Sequence, residues 1–353
     1  MNGPEPGTEG AIDVLSARID ETLAGLLERG QAVALLNYPN IGNLGDAAIW
    51  VGTRAALDRR GVRVRFACEP RAYRRGLLVR ALGDDPTVLL QGGGNLGDLY
   101  PGSWQHRIRL RVLRDLPRAR VIQLPQSIWF RRQGPMRRFA DLARAHPDFR
   151  LLVRERPSLA RARDQLGLEA ELCPDLALAL GSLSRPASPR CEVYWLSRTG
   201  PESVHEPPAM LAPGVEVGDY PTGAQQRRGR SGQGLRAVLA ANRLLNTAMR
   251  DPRAASMLHR RRLALLDSIA RRRMTLACEI VSRGRVLVTD RFHGHALASL
   301  MGIPNVLLDN VYGKNRSLFE AWTSQLGVAR WADDAATAQA QALELADGGG
   351  GAG

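Results

Sequence analysis

A short apolar run that opens into a polar, glycine-bearing loop and then a helix recurs along this chain. That recurrence restricts the fold more than any other feature. The clearest instance spans residues 285–309. Val286, Leu287 and Val288 form a β-prone run, and Thr289 and Asp290 stop it. Residues 295–301 have helical character, Gly302 suits a C-cap before Pro304, and residues 305–308 make a second strand. The unit is βαβ, and ligands of open α/β sheets bind at the carboxyl ends of strands. The loop at that end carries Arg291, His293 and His295. A fixed cation two residues from an imidazole suits an anionic substrate that also needs a proton moved. The competing reading is that Arg291 pairs with Asp290 or Asp309 and that the histidines cap or pack.

The same alternation fills the first half. Residues 11–29 read as an amphipathic helix ended by Gly30, and residues 32–36 as a strand leading to Gly42-Asn43-Leu44-Gly45-Asp46 and a helix over 47–57. Strands follow at 62–67, 87–90, 120–124 and 150–153, each with a polar loop or helix behind it. Gly92, Gly93 and Gly94 free the backbone for close approach to a ligand. Gly94-Asn95-Leu96-Gly97-Asp98 repeats the earlier five residues. Neither loop matches a standard phosphate fingerprint. Both place Asn and Asp where sugar hydroxyls can be held, although Asp46 is equally suited to cap its helix. Gln126 is a neutral hydrogen-bonder, and Trp129 can stack on a sugar or pack. Strand, loop and helix in alternation predict a parallel, doubly wound sheet.

Ser and Pro crowd residues 181–190, which divides the chain into an N-terminal α/β domain over 1–184 and a C-terminal one over 185–330. The second sheet begins at 191–196 and ends in Ser197, Arg198 and Thr199. Residues 200–234 read as a long irregular segment, 235–246 and 261–282 as helices, and 348–353 as a flexible tail. The net charge of +14 comes almost wholly from arginine and points to anionic partners. The basic stretches lack the interleaved aromatics of a single-strand binder, so nucleic acid is not an expected partner. Cys68, Cys173, Cys191 and Cys278 are scattered without metal-ligand spacing, so no metal is expected. No apolar run reaches the ~18 residues of a membrane span, and the expected location is the cytosol.

Taken together and in order, 40–50, 91–98, 123–130, 154–158, 172–180, 195–199 and 290–314 resemble the polysaccharide pyruvyl transferase family. The resemblance implies an α/β fold of two Rossmann-like domains facing a cleft, GT-B-like, with a final helix over 331–347 crossing back to the N-terminal domain. It implies transfer of a pyruvyl group from phosphoenolpyruvate to a glycan or lipid-linked oligosaccharide, forming a ketal without a cofactor. The donor-binding residues it implies are Arg154, Arg291, His293 and Lys314. His293 is the expected acid or base, with Asp46 or Asp98 as catalytic residues that orient or deprotonate the acceptor and Asn43, Asn95, Gln126 and Trp129 contacting it. Many relatives carry His after Pro-Gln-Ser-Ile, where this chain has Trp129. A lipid-linked acceptor would bring the chain to the anionic inner face of the cell membrane. The rival functions are a nucleotide-sugar glycosyltransferase of the same fold and a non-catalytic glycan-binding relative.

Overall fold

The computed structural model describes residues 6–39, 42–99, 103–198, 205–227, 229–248, 252–310 and 313–348. Two parallel sheets organise it. The first holds β1 (Ala32–Leu36), β2 (Arg63–Cys68), β3 (Thr87–Leu90), β4 (Gly93–Gly97), β5 (Arg120–Trp129), β6 (Phe149–Val153) and β7 (Glu171–Leu172), in the order β2-β1-β3-β5-β6-β7 with β4 paired to β5. The second holds β8 (Cys191–Leu196), β9 (Val215–Gly218), β10 (Gly284–Thr289), β11 (Asn305–Leu307) and β12 (Ala329–Trp331), in the order β12-β11-β10-β8-β9. Helices α1 (Pro6–Leu26), α2 (Leu44–Arg59), α3 (Arg75–Leu82), α4 (Trp104–Asp115), α5 (Gln133–Ala145) and α6 (Arg156–Leu166) belong to the first half. The second half carries α7 (Gly229–Ala248), α8 (Pro252–Val281), α9 (Phe292–Leu300), α10 (Lys314–Leu318) and α11 (Ala335–Gly348).

The two sheets share one topology. β1 lies between β2 and β3, and β8 lies between β9 and β10, so each chain path reverses direction beside its first strand. Such reversals open a crevice at the carboxyl ends of the strands. The strands are apolar on both faces because helices cover both. In β1, Val33 and Leu35 enter one core while Ala34 and Leu36 enter another.

One apolar core spans both halves. It runs from Ile12 and Ile19 of α1 through Ile49 and Trp50 of α2 to Leu266 and Ile269 of α8 and Leu297 of α9. Polar ties reinforce it. Trp50 Nε1 donates to Asp267 Oδ1 at 2.7 Å, and Asn242 and Asn246 of α7 each donate to the Glu69 carboxylate at 3.0 Å. The element that joins the halves is therefore α8, not the C-terminal helix. The expected crossing of residues 331–347 is corrected here: α11 lays Ala338, Ala342 and Ala346 against Val193, Val286, Val288 and Val306 of the second sheet. Alanines let the helix approach that sheet closely.

Three further differences have local causes. The segment read as irregular over 200–234 contains β9, which extends the second sheet, and the start of α7; residues 199–204 and 228 lie outside the described residues. The triple-glycine loop contains β4, whose Gly93 pairs with Gln126 and whose Gly97 pairs with Trp129. β5 runs past the expected end at 124 to Trp129, carrying Pro125 in mid-strand. Pro125 has no N–H for the ladder, and the pairing of β5 with β6 shifts register between Gln123 and Gln126.

Candidate functional site

The carboxyl ends of both sheets open on a common cleft of ≈ 300 Å³, at the small end of the range for ligand pockets, about 300–1,000 Å³. Its first wall comes from the loops after β1 and β3: Asn43, Gly45, Asp46, Gly94 and Asn95. Arg154 follows β6. The facing wall is Arg198 after β8, Asp290, Arg291 and His293 after β10, and Asn310, Lys314 and Asn315 after β11.

Helix α2 begins with Asn43 as its N-cap, its Oδ1 accepting from Gly45 N at 3.0 Å. Asp46 is therefore not the cap, and its carboxyl lines the cleft. Burial pushes that carboxyl up, against the opposing pull of His293, Arg154, Arg198 and Lys314. Gly45 is small for a reason that crosses the molecule. A Cβ there would stand 2.7 Å from His293 Nδ1. Gly94 is matched in the same way: its Cβ would meet Arg154 Nη2 at 2.8 Å and Lys314 Nζ at 3.4 Å. The two glycines that the repeated pentapeptides place in the cleft wall thus make room for basic groups of three different loops.

Arg154 is 1% exposed and tightly held. Its Nε donates to Ser127 Oγ at 2.8 Å and its Nη1 to Asp175 Oδ2 at 2.5 Å. Asp175 is fully buried, its other oxygen accepts from Ala177 N at 2.9 Å, and His293 Nε2 lies 3.5 Å from Oδ2. Burial alone would raise the Asp175 carboxyl, but His293 and Arg154 outweigh it and hold it below the usual carboxylate range. Asp175 is a fixed anion shared by a guanidinium from the first sheet and an imidazole from the second.

On the facing wall, Arg291 pairs with Asp219 rather than with Asp290 or Asp309: its Nε donates to Asp219 Oδ1 at 2.7 Å, and its guanidinium lies over the Tyr220 ring. Asp309 instead accepts from Asn315 N at 3.2 Å at the start of α10. Asp290 is 3% exposed, and its Oδ1 accepts from Arg198 N at 2.9 Å. Burial raises the Asp290 carboxyl against Arg198 and Arg291.

Seven of the residues expected from sequence meet in this cleft: Asn43, Asp46, Asn95, Arg154, Arg291, His293 and Lys314. Four do not. Gln126 sits behind Asn95, donating to its Oδ1 at 3.0 Å, and so holds an acceptor-side residue without lining the cleft. Trp129 lines a small side chamber with Lys314 and Gly94, under the Arg161 guanidinium at 4.4 Å from the ring centre. Asp98 faces a separate depression, where it accepts from the N–H groups of Arg131 at 2.6 Å and Arg132 at 3.0 Å. Burial would raise its carboxyl, but these donors hold it low, so it anchors the turn after β5 and its place as an acceptor base is corrected. His295 is fully buried between Asn305 and Thr323, and burial lowers it to about 4, so it is a neutral core histidine.

Asp175, Arg198, Asp219, Tyr220 and Asp290 were not among the expected site residues. Asp175 and Arg198 each follow a strand, the one signal in the sequence that marks them. Asp219 and Tyr220 follow β9, which weak periodicity concealed.

The sequence model of the polysaccharide pyruvyl transferase family matches residues 43–222. EpsO of Bacillus subtilis, named for a pyruvyl transferase, is 29% identical over 86% of this chain and 90% of its own. Pyruvyl transferase 1 of Schizosaccharomyces pombe is 30% identical over 82% of this chain and 69% of its own. A functionally uncharacterised Klebsiella pneumoniae protein of known crystal structure superposes with a TM-score of 0.57 over 90% of this chain and 98% of its own, at 17% identity, a likeness of fold alone.

Proposed function

The chain belongs to the polysaccharide pyruvyl transferase family, and we propose that it transfers the pyruvyl group of phosphoenolpyruvate to two hydroxyls of a glycan, forming a cyclic ketal and releasing phosphate. One observation carries this reading: Arg154, Arg198, Arg291, Lys314 and His293, from both halves, converge on a single cleft. Phosphoenolpyruvate presents a carboxylate and a phosphate on adjacent carbons, and desolvating them requires several cations. Guanidinium groups grip either anion in a bidentate fashion. In this reading Arg154 grips the donor from beside Gly94, with Arg198, Arg291 and Lys314 on the facing wall and Lys314 reaching back toward Gly94.

Two hydroxyl protons must be moved in the reaction. One is balanced by the new C–H bond of the methyl group, and the other leaves with phosphate. His293, set against the Asp175 carboxylate, is suited to take a proton from an acceptor hydroxyl and pass it to the departing phosphate. Asp46 and Asn95 on the first wall orient the acceptor hydroxyls. Trp104, 37% exposed at the cleft mouth, offers that glycan an aromatic surface.

Phosphate release tests the reading. With phosphoenolpyruvate and a panel of p-nitrophenyl glycosides, phosphate appears only when both are present, and mass spectrometry finds a pyruvyl ketal on the sugar. Transfer from UDP-sugars without use of phosphoenolpyruvate would favour glycosyl transfer instead, and tight glycan binding without turnover would favour a binding protein.

We also infer a peripheral approach to anionic membranes, for an acceptor carried on lipid. No helix among the described residues is long and apolar enough to cross a membrane. Arg131, Arg132, Arg137 and Arg138 are all exposed, whereas Arg262 and Arg273 of the other basic stretch are buried. Arg260, Arg261, Arg271 and Arg272 are exposed as well; the first cluster, exposed at all four arginines, is the proposed contact surface, at about 1 kcal/mol per basic residue. Co-sedimentation with phosphatidylserine vesicles is expected at low salt and lost at high salt. Full solubility with those vesicles at low salt would refute it.

A further inference from the structure

We propose that Asp290 is the acid that protonates the methylene carbon of the donor, an assignment that rests on the pyruvyl-transfer reading. The two carboxyl oxygens of Asp290 differ in their surroundings. Oδ1 is fixed by the N–H of Arg198 at 2.9 Å, which sets the plane of the carboxyl group. Oδ2 is buried and has no hydrogen-bond partner among the described residues. The group lines the cleft together with Arg198 and Arg291, on the wall proposed to grip the donor anions. An ionised oxygen that is buried and unpartnered loses solvation without compensation, whereas a neutral carboxyl keeps its proton there at lower cost. The direction of the carboxyl's shift, raised by burial, agrees with this.

The other acidic groups of the cleft are less suited. Asp175 is held as an anion by Arg154 and His293. Asp46 is raised by burial as well, but it belongs to the wall that orients the acceptor, and His293, Arg154, Arg198 and Lys314 all pull against that rise. His293 Nε2 lies 3.5 Å from the Asp175 carboxylate without a hydrogen bond, its ring is packed against Gly45, and in this reading it moves a proton from the acceptor hydroxyl to the departing phosphate. Among the described residues of the cleft, Asp290 combines a carboxyl plane fixed by a backbone N–H with a buried oxygen that has no hydrogen-bond partner. The backbone around it is equally fixed: Asn315 Nδ2 donates to Asp290 O at 2.6 Å, and Thr289 Oγ1 accepts from Arg291 N at 3.0 Å.

The step balances. The O–H bond at Oδ2 breaks, and the C2=C3 π pair of phosphoenolpyruvate forms the new C–H bond at C3. C2 becomes an oxocarbenium-like centre, to which the first acceptor hydroxyl adds, returning its proton to Oδ2. The C2–O bond to phosphate breaks with its electron pair. The second hydroxyl closes the ketal, and its proton ends on phosphate. Asp290 is regenerated protonated, and no oxidant or reductant is required.

Asp290→Asn preserves the acceptor for Arg198 N–H and presents a neutral amide in place of the neutral acid. Phosphoenolpyruvate affinity, measured by calorimetry at pH 7.5, is expected within about threefold of wild type or tighter. Phosphate release with the glycoside panel is expected to fall by about 10²–10⁴-fold, the usual worth of a general acid. If Asp290→Asn loses its near-ultraviolet circular dichroism, Asp290→Ser serves for the same comparison. Turnover within tenfold of wild type in the folded variant, or donor affinity that falls in step with turnover, overturns the assignment of Asp290 alone. A wild type that releases no phosphate in any arm overturns the pyruvyl-transfer reading, and the donor acid falls with it.

Discussion

Replacing Gly45 with alanine tests whether the contact across the cleft sets the chemistry. Gly45 lies in the first turn of α2, with no positive φ to forbid a side chain. Its new Cβ would stand 2.7 Å from His293 Nδ1, 2.9 Å from its Cβ and 3.0 Å from its Cγ. The three contacts are to the root of the imidazole, so rotating the ring does not relieve them. Ordinary contact begins at 3.4 Å, so His293 must retreat by 3.4 − 2.7 = 0.7 Å. Overpacking of this kind costs about 1–3 kcal/mol, and alanine in a helix recovers up to about 1 kcal/mol. The net loss of about 0–3 kcal/mol corresponds to a fall in Tm of at most about 12 °C. Activity should suffer far more, because the retreat disturbs the 3.5 Å spacing of His293 from Asp175. A misplacement near 1 Å costs about 10²-fold in rate. Scanning calorimetry and phosphate release on the same samples separate the two effects. Gly25→Ala in α1, where a Cβ meets nothing within 4 Å, is the control. Turnover of Gly45→Ala within threefold of wild type would show that the position of His293 does not limit the reaction.

Arg291→Ala is expected to weaken phosphoenolpyruvate binding roughly ten- to a hundredfold, the loss of a charge-assisted contact of ~1.5–3 kcal/mol; near-native affinity by calorimetry refutes its donor role. Arg154→Ala should lose affinity to a similar degree and also about 3–5 kcal/mol of stability, because Asp175 and Glu155 are left buried without their cation; an unchanged denaturation midpoint contradicts this. Asp46 has a folded-state pKa raised by burial, so its favourable term is complete below the unfolded value near 4 and is lost as pH rises through the folded one. Asp46→Asn should therefore raise Tm at pH 7.5 and have no such advantage at pH 3, and equal gains at both would point to another cause. Gly52→Ala would drive a Cβ into the Leu176 carbonyl oxygen, so α2 must part from the turn over Leu176–Leu180; a Tm unchanged by this variant would refute that packing.

The sequence by itself determined the elements and the end of the sheets at which chemistry sits. Val286 to Val288, Val33 to Leu36 and Val88 to Leu90 are apolar on both faces, which demands helices on both sides and hence parallel strands. A polar loop then has to fall at the carboxyl end of each strand, and Arg154, Arg291, His293 and Asp46 were legible there. Periodicity is a local property, so strong local signals were read well and weak ones were not: β4, β9 and the continuation of β5 through Pro125 draw their pairing from neighbouring strands. Tertiary structure alone decided which loop residues face the cleft. Asp46 and Asp98 occupy the same place in identical pentapeptides. Helix α2 turns one carboxyl into the cleft, while the backbone after β5 captures the other. Arg154, Asp175 and His293 come from loops far apart in sequence, and only the shared core along α8 brings Asp175 between the other two. A buried charge takes its role from its partners, and those partners are set by packing over long range, which no local pattern of residues encodes.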